Sequence, residues 1–207
     1  MTIDKKNMIS SILESISRID HIKPEDIPNI DLYMDQVTTF MEEQLAATKR
    51  FQDDKILTKT MINNYAKNKL LPPPEKKRYS KEHVLMLIFI YYFKNILSIS
   101  DIQALFTPIV QKYFKSMTEK DMTYIYNEVF SMEKEQIESL KKDIVKKFSA
   151  ASDTFQDADP EDMEMLRNFS FICLLSFDVY VKKMMIEHIV DEMFLAQEDK
   201  KHKKKEV

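Results

Sequence analysis

The sequence predicts an all-α protein, and three observations predict it. The chain has 207 residues and no glycine, where average usage would supply about 14. Tight primed-type hairpins want glycine at positive φ, so a β-rich chain without it would lack its corners. Apolar residues recur at intervals of three and four along most of the chain, the period of an amphipathic helix. Prolines and Ser, Thr or Asp residues stand between those segments, where helices stop and start. The missing glycines also exclude a G-x-G-x-x-G dinucleotide turn, a P-loop, a G-x-S-x-G nucleophile elbow and an EF-hand loop.

Taken in order, Asp4 to Ile19 carries Met8, Ile12, Ile16 and Ile19 at helical spacing. Pro24 and Pro28 then interrupt, which makes 1–27 an N-terminal helix and linker. A second helix begins near Asp31, its candidate N-cap, and carries Leu32, Met34, Val37, Phe40, Met41 and Leu45. Thr48 to Ile56 is a polar, basic connector. Thr58 caps a short helix through about Lys69 with Met61, Ile62 and Tyr65 as its apolar side. Pro72-Pro73-Pro74 stops that helix and stiffens the next residues into extended backbone.

Ser80 caps the following helix, and Val84 to Leu97 is apolar almost all round, the pattern of a helix buried on most sides. Ser98 or Ser100 caps a short helix from Asp101 to about Phe106. Thr118 opens a longer one to about Phe148, with Met122, Tyr126, Val129, Ile137, Leu140 and Ile144. Ala150 to Pro160 reads as an acidic loop. Pro160 suits the first turn of a last helix reaching Phe194. The domain reading is an N-terminal helix and linker (1–27), a central domain (28–112), a C-terminal helical lobe (113–197) and a basic disordered tail (198–207).

Charge is uneven along this frame. Residues 1–48 sum to −5, 49–82 to +6, 152–199 to −9 and 200–207 to +4. One basic block in acidic surroundings points to a local anionic partner rather than a globally basic binder. The longest unbroken apolar stretch, Val84 to Phe93, is ten residues, short of the ~20 that span a bilayer, so no membrane is expected. The first residues lack the apolar core of a signal peptide. The single cysteine, Cys173, forms no internal disulfide and fits a reducing, cytoplasmic setting.

The basic block holds the pattern that carries a function. It reads Leu57-Thr-Lys-Thr-Met-Ile-Asn-Asn-Tyr-Ala-Lys-Asn-Lys-Leu-Leu-Pro72, then Lys77-Arg78-Tyr79-Ser80, then the apolar helix and Ser98-Ile-Ser-Asp-Ile102. In the order of Tyr65, Leu70, Leu71, Pro72, Arg78 and Tyr79, followed by Leu87, Ile90 and Ile102, it resembles the MerR-type winged helix-turn-helix. The stretch from Pro28 through about Val129, with Ile30 to Phe40, is similar to an uncharacterised bacterial domain family that contains such a unit. The resemblance implies a MerR-like winged helix-turn-helix core with a minimal wing plus a C-terminal helical lobe. Where the MerR pattern has an arginine this chain has Asn63 and Asn64, and where that pattern ends the helix with glycine it has Lys69.

The residues themselves support a reader of double-stranded DNA. Thr60, Asn63 and Lys67 stand at i, i+3 and i+7 and share one helix face, with Lys59 and Asn64 beside it. Asparagine pairs bidentately with adenine, and lysine or arginine neutralises phosphates. Lys76, Lys77, Arg78 and Tyr79 follow the prolines and extend the positive surface as a wing. The expected function is therefore DNA-binding transcriptional regulation. The alternative is a helical protein-interaction or small-ligand-sensing module that has lost DNA binding, in keeping with the absent arginine and overall acidity.

No enzyme is expected. The four histidines lack metal-ligand spacing, no cofactor motif survives, and Cys173 in its apolar run reads as a buried, inert thiol. A homodimer is expected, with a seam along the 118–148 helix at Phe130, Ile137, Leu140, Ile144 and Phe148. Met163, Met165, Met184, Met185 and Met193 suggest a junction that admits a small apolar effector.

Overall fold

Helices dominate, as the missing glycines predict. The structure, a computed structural model, describes residues 5–18 and 20–203. Along the chain run α1 (Lys5–Ser17), β1 (Leu32–Tyr33), α2 (Met34–Gln44), a 3-10 turn (Ala46–Thr48), α3 (Lys59–Lys67), β2 (Arg78–Tyr79), α4 (Lys81–Phe93), α5 (Ile99–Tyr113), α6 (Met122–Phe130), α7 (Glu133–Ser152) and α8 (Pro160–Lys203). The two strands pair antiparallel, Leu32 opposite Tyr79 and Tyr33 opposite Arg78. Ile19 of the expected first helix and residues 204–207 of the expected tail lie outside the described residues, while 198–203 continue α8. Among the described residues, no helix is long and apolar enough to cross a membrane.

The starts of α3, α4, α5 and α8 fall where their caps predict. The Thr58 hydroxyl accepts from the Met61 N–H at 3.2 Å. The Ser80 N–H donates to Nδ1 of His83 at 3.0 Å, and the Ser98 hydroxyl accepts from the Asp101 N–H at 3.2 Å. Pro160 opens α8. Other boundaries move. Asp31 does not cap α2: the chain first forms β1, and the Tyr33 N–H donates to Oε1 of Gln36 at 2.8 Å to close the helix start. α5 does not end near Phe106 but runs through Pro108, because Ile109, Val110 and Tyr113 keep packing on the core and outweigh the one missing N–H.

The expected 118–148 helix is two helices. Asp121 rather than Thr118 opens α6, accepting from the Tyr124 N–H at 2.9 Å, and the chain turns at Ser131 and Met132 before α7. The chain divides into two compact units, one of residues 21–130 with 186 onward, the other of residues up to Asp20 with 131–185. α6 thus belongs with α2–α5, and α1 belongs with α7 and the first part of α8.

In the larger unit the core is built around α4. Val84 through Ile90 are buried in succession, surrounded by Val37 and Met41 of α2, Ile62 of α3, Ile102 and Phe106 of α5, and Met122 and Tyr126 of α6. The Tyr126 hydroxyl donates to the Ile22 carbonyl at 2.7 Å, which ties the entering loop to this core. Ile186 and Val190 of α8 complete it.

The smaller unit has a thinner core: Ile144 and Ala151 of α7 and Phe171 of α8, flanked by Ile9, Ile12, Leu13 and Ile16 of α1. Phe148 meets Phe171 edge-on at 5.4 Å. Of the residues expected to form a dimer seam on α7, Ile144 and Phe148 are used inside the unit, while Leu140 stays exposed. Cys173 is exposed rather than buried, because only the Phe171 and Leu175 side of its run meets α7. Met165, Met184, Met185 and Met193 are likewise exposed.

Candidate nucleic-acid interface

α3 is a short helix held from below. Ile62 and Tyr65 are buried in the core, while Lys59, Thr60, Asn63, Asn64 and Lys67 are exposed on the other side. Burying Tyr65 on the core side pushes its phenol pKa up. The helix ends in a Schellman arrangement: Leu70 N–H donates to the Tyr65 carbonyl at 2.9 Å and Lys69 N–H to Ala66 at 3.1 Å. Lys69 stands at the left-handed position with φ 59°, where glycine would carry no Cβ penalty. A lysine there adds an exposed cation beside Lys67. Lys69 is an exposed cation of this surface that the helix-face reading missed, because the reading stops at the regular period and Lys69 lies just past it.

Leu70 and Leu71 are both buried and anchor the chain before the prolines. Beyond them Glu75 to Arg78 closes a two-residue hairpin, with Arg78 N–H donating to the Glu75 carbonyl at 2.8 Å. Both central residues are left-handed, Lys76 at φ 49° and Lys77 at φ 64°, the signature of a type I′ turn. The glycine-free chain thus makes the turn type it is least suited to, and makes it with two lysines. Both are exposed, as is Arg78. Tyr79 is not: at 3% exposure its side chain belongs to the core, because alternate strand residues point to opposite sides. As a candidate contact it is corrected to a support for the hairpin.

α2 and β1 bring the α3 face and the hairpin together. Lys59 on the first turn of α3 pairs with Asp35 of α2. Two residues earlier, the Tyr33 hydroxyl accepts from Nη2 of Arg78 at 3.1 Å, with the guanidinium 5.1 Å from the ring centre. Glu75 at the hairpin pairs with Lys115, which holds its carboxyl below the usual range. Lys115 is in turn fixed by its N–H, which donates to both oxygens of Glu82 at 2.9 and 3.0 Å. The surface therefore offers Lys59, Lys67, Lys69, Lys76, Lys77 and Arg78 against the exposed acids Asp35 and Glu75.

Beneath the hairpin lies His83, 1% exposed. Its ring sits edge-on to Tyr79 at 5.6 Å and to Phe114 at 4.9 Å. Burial lowers its pKa to about 4, outweighing the Pro72 and Pro73 carbonyls that favour the charged form. The imidazole is neutral at neutral pH, and Nδ1 is left free to accept from Ser80. It is a prop for the 72–80 segment rather than a contact.

A family model described as a domain of unknown function (DUF1836) matches residues 22–130, which takes in α2 through α6 and the whole of this surface. No curated protein and no solved structure matches the chain.

Proposed function

We propose that this protein, which belongs to the DUF1836 family, binds double-stranded DNA and regulates transcription. In this reading β1, α2, α3 and the 75–79 hairpin are a MerR-like winged helix-turn-helix with a minimal wing. α3 enters a major groove, where Asn63, with Asn64 and Thr60 beside it, meets base edges. Lys67, Lys69 and the hairpin cations Lys76, Lys77 and Arg78 rest on adjacent phosphates. The observation that carries the reading is the α3 face: amides and lysines exposed on a helix whose other side is locked into the core, with a basic hairpin fixed nearby through Tyr33 and Asp35.

Rigid support matters because base readout needs the helix held to a fraction of an ångström, and Ile62, Tyr65, Leu70 and Leu71 supply it. A gel-shift titration of the full chain against fragmented genomic DNA, followed by footprinting of the retained fragments, tests the reading. A protected site that is lost steeply with salt supports it. Absence of any shift at low salt favours the second reading, a helical interaction or ligand-sensing module without DNA binding. That second reading draws on Asp35, which already neutralises Lys59 and would have to release it to a phosphate.

A further inference from the structure

α8 packs into its unit by one side only. Phe171 and Leu175 face the α1–α7 core, and Asp178 on the same side pairs with Lys147 of α7 at 2.7 Å. At 100° per residue the opposite side is Met165, Phe169, Ile172, Phe177, Tyr180 and Met184, between 51% and 66% exposed. This stripe is about 28 Å long at 1.5 Å rise per residue. Six large side chains of ~200 Å² each, three-fifths exposed, present roughly 700 Å² of mostly apolar surface. Monomeric proteins seldom expose more than ~600 Å² in one patch, and a stable interface takes ~800 Å² from each partner.

We infer that this face of α8 is the docking surface for a second copy of the chain, packed antiparallel about a two-fold axis near Cys173. The area matches what one half of a stable dimer contributes, and Val179 and Cys173, both exposed, bring it to that size. The run Asn168 to Phe177 contains no charged residue, so two copies meet there without like-charge repulsion. Asp162 stands at one end of the stripe and Lys183 at the other, while Lys182 falls on the packed side and pairs with Asp178. Antiparallel pairing sets acid on base, whereas parallel pairing sets acid on acid. The acidic surroundings, −9 over 152–199, disfavour DNA as the occupant. An isologous contact of this kind uses one patch twice and closes on itself.

The mass of the full chain in solution, measured by light scattering without DNA, is the first test, so its result does not depend on the proposed DNA binding. The expected mass is twice the 24.6 kDa of the chain, falling to one chain in Phe177→Asp and in Phe169→Glu. Both positions are exposed, and far-ultraviolet circular dichroism unchanged from the parent shows that the variants stay folded. Cys173 is the only cysteine, so a mild oxidant added to the unaltered protein is expected to yield a reducible dimer band on a denaturing gel. A single-chain mass at tens of micromolar, a Phe177→Asp variant that stays dimeric, or a failure of Cys173 to cross-link would each overturn the inference.

Discussion

Two apolar runs of similar length meet opposite fates in this protein. Val84 to Phe93 on α4 and Phe169 to Phe177 on α8 look alike in sequence, each hydrophobic on nearly every side. On α4, seven consecutive residues from Val84 to Ile90 are buried, because α2, α3, α5 and α6 close round them. On α8, Phe171 alone of that run is buried, because only α7 and α1 cover it. The difference teaches that hydrophobicity all round a helix specifies a demand for partners, not their presence within the same unit. Where the unit is too small to satisfy it, the remaining surface is available to another molecule.

The largest expected effect sets the two runs against each other directly. Ile88→Ala removes a side chain that is 0% exposed and should lower stability by about 3 kcal/mol through lost burial and a cavity. Ile172→Ala, at a position 58% exposed, should cost less than ~0.5 kcal/mol. Both are best measured by urea titration in the Phe177→Asp background, so that association of copies does not contribute. Equal costs at the two positions would erase the contrast.

The tight core of the larger unit also makes it sensitive to acid. The unfolded chain protonates His83 near 6.5, whereas the folded chain resists until about 4. The unfolded state binds more protons in that window, so stability is full above ~7 and falls as pH drops through it, by up to about 3 kcal/mol. Urea titrations of the parent and His83→Leu at a series of pH values isolate this contribution. The parent curve should fall more steeply, and identical slopes between pH 6.5 and 4 would show that the buried ring is not the cause.

Electrostatics should divide along the same line. Asn63→Ala in the larger unit is expected to cost ~1–3 kcal/mol at a single base position. Lys67→Ala should weaken binding to every sequence and reduce the salt slope by about one. Lys147→Ala in the smaller unit, which pairs with Asp143 and Asp178, should leave that slope unchanged. Anisotropy titrations across a salt series read all three. The smallest effect is at the left-handed lysines. Lys69→Gly or Lys76→Gly should gain about 0.5 kcal/mol, the relief of Cβ strain less the added freedom of the unfolded chain. The same substitutions should loosen DNA, and a variant that gains stability without losing affinity would remove the lysine from the interface.

Much of this protein was legible because the signals are local. The Thr58 and Ser98 hydroxyls accept from backbone groups three residues on, and the Ser80 N–H donates to the His83 ring three residues on, so these caps need no knowledge of the fold. The exposed face of α3 follows from its period and from Ile62 and Tyr65 opposite. The absence of glycine forecasts helices, yet it could not forecast the turn at Lys76 and Lys77, which take left-handed backbone between the bridged Glu75 and Arg78 while β1 holds the Arg78–Tyr79 arm.

What only the tertiary structure decided is who meets whom over long separations. It set Lys59 against Asp35 and Arg78 against Tyr33, buried Tyr79 beside its exposed neighbour Arg78, and turned the chain at Ser131 and Met132 so that α6 and α7 serve different units. It also left Cys173 and its apolar neighbours in the open. The reason is physical: a cap or a helical period is satisfied within a turn or two of chain, whereas burial depends on how many distant elements arrive. A sequence carries the first as a pattern and the second only as the sum of all its contacts.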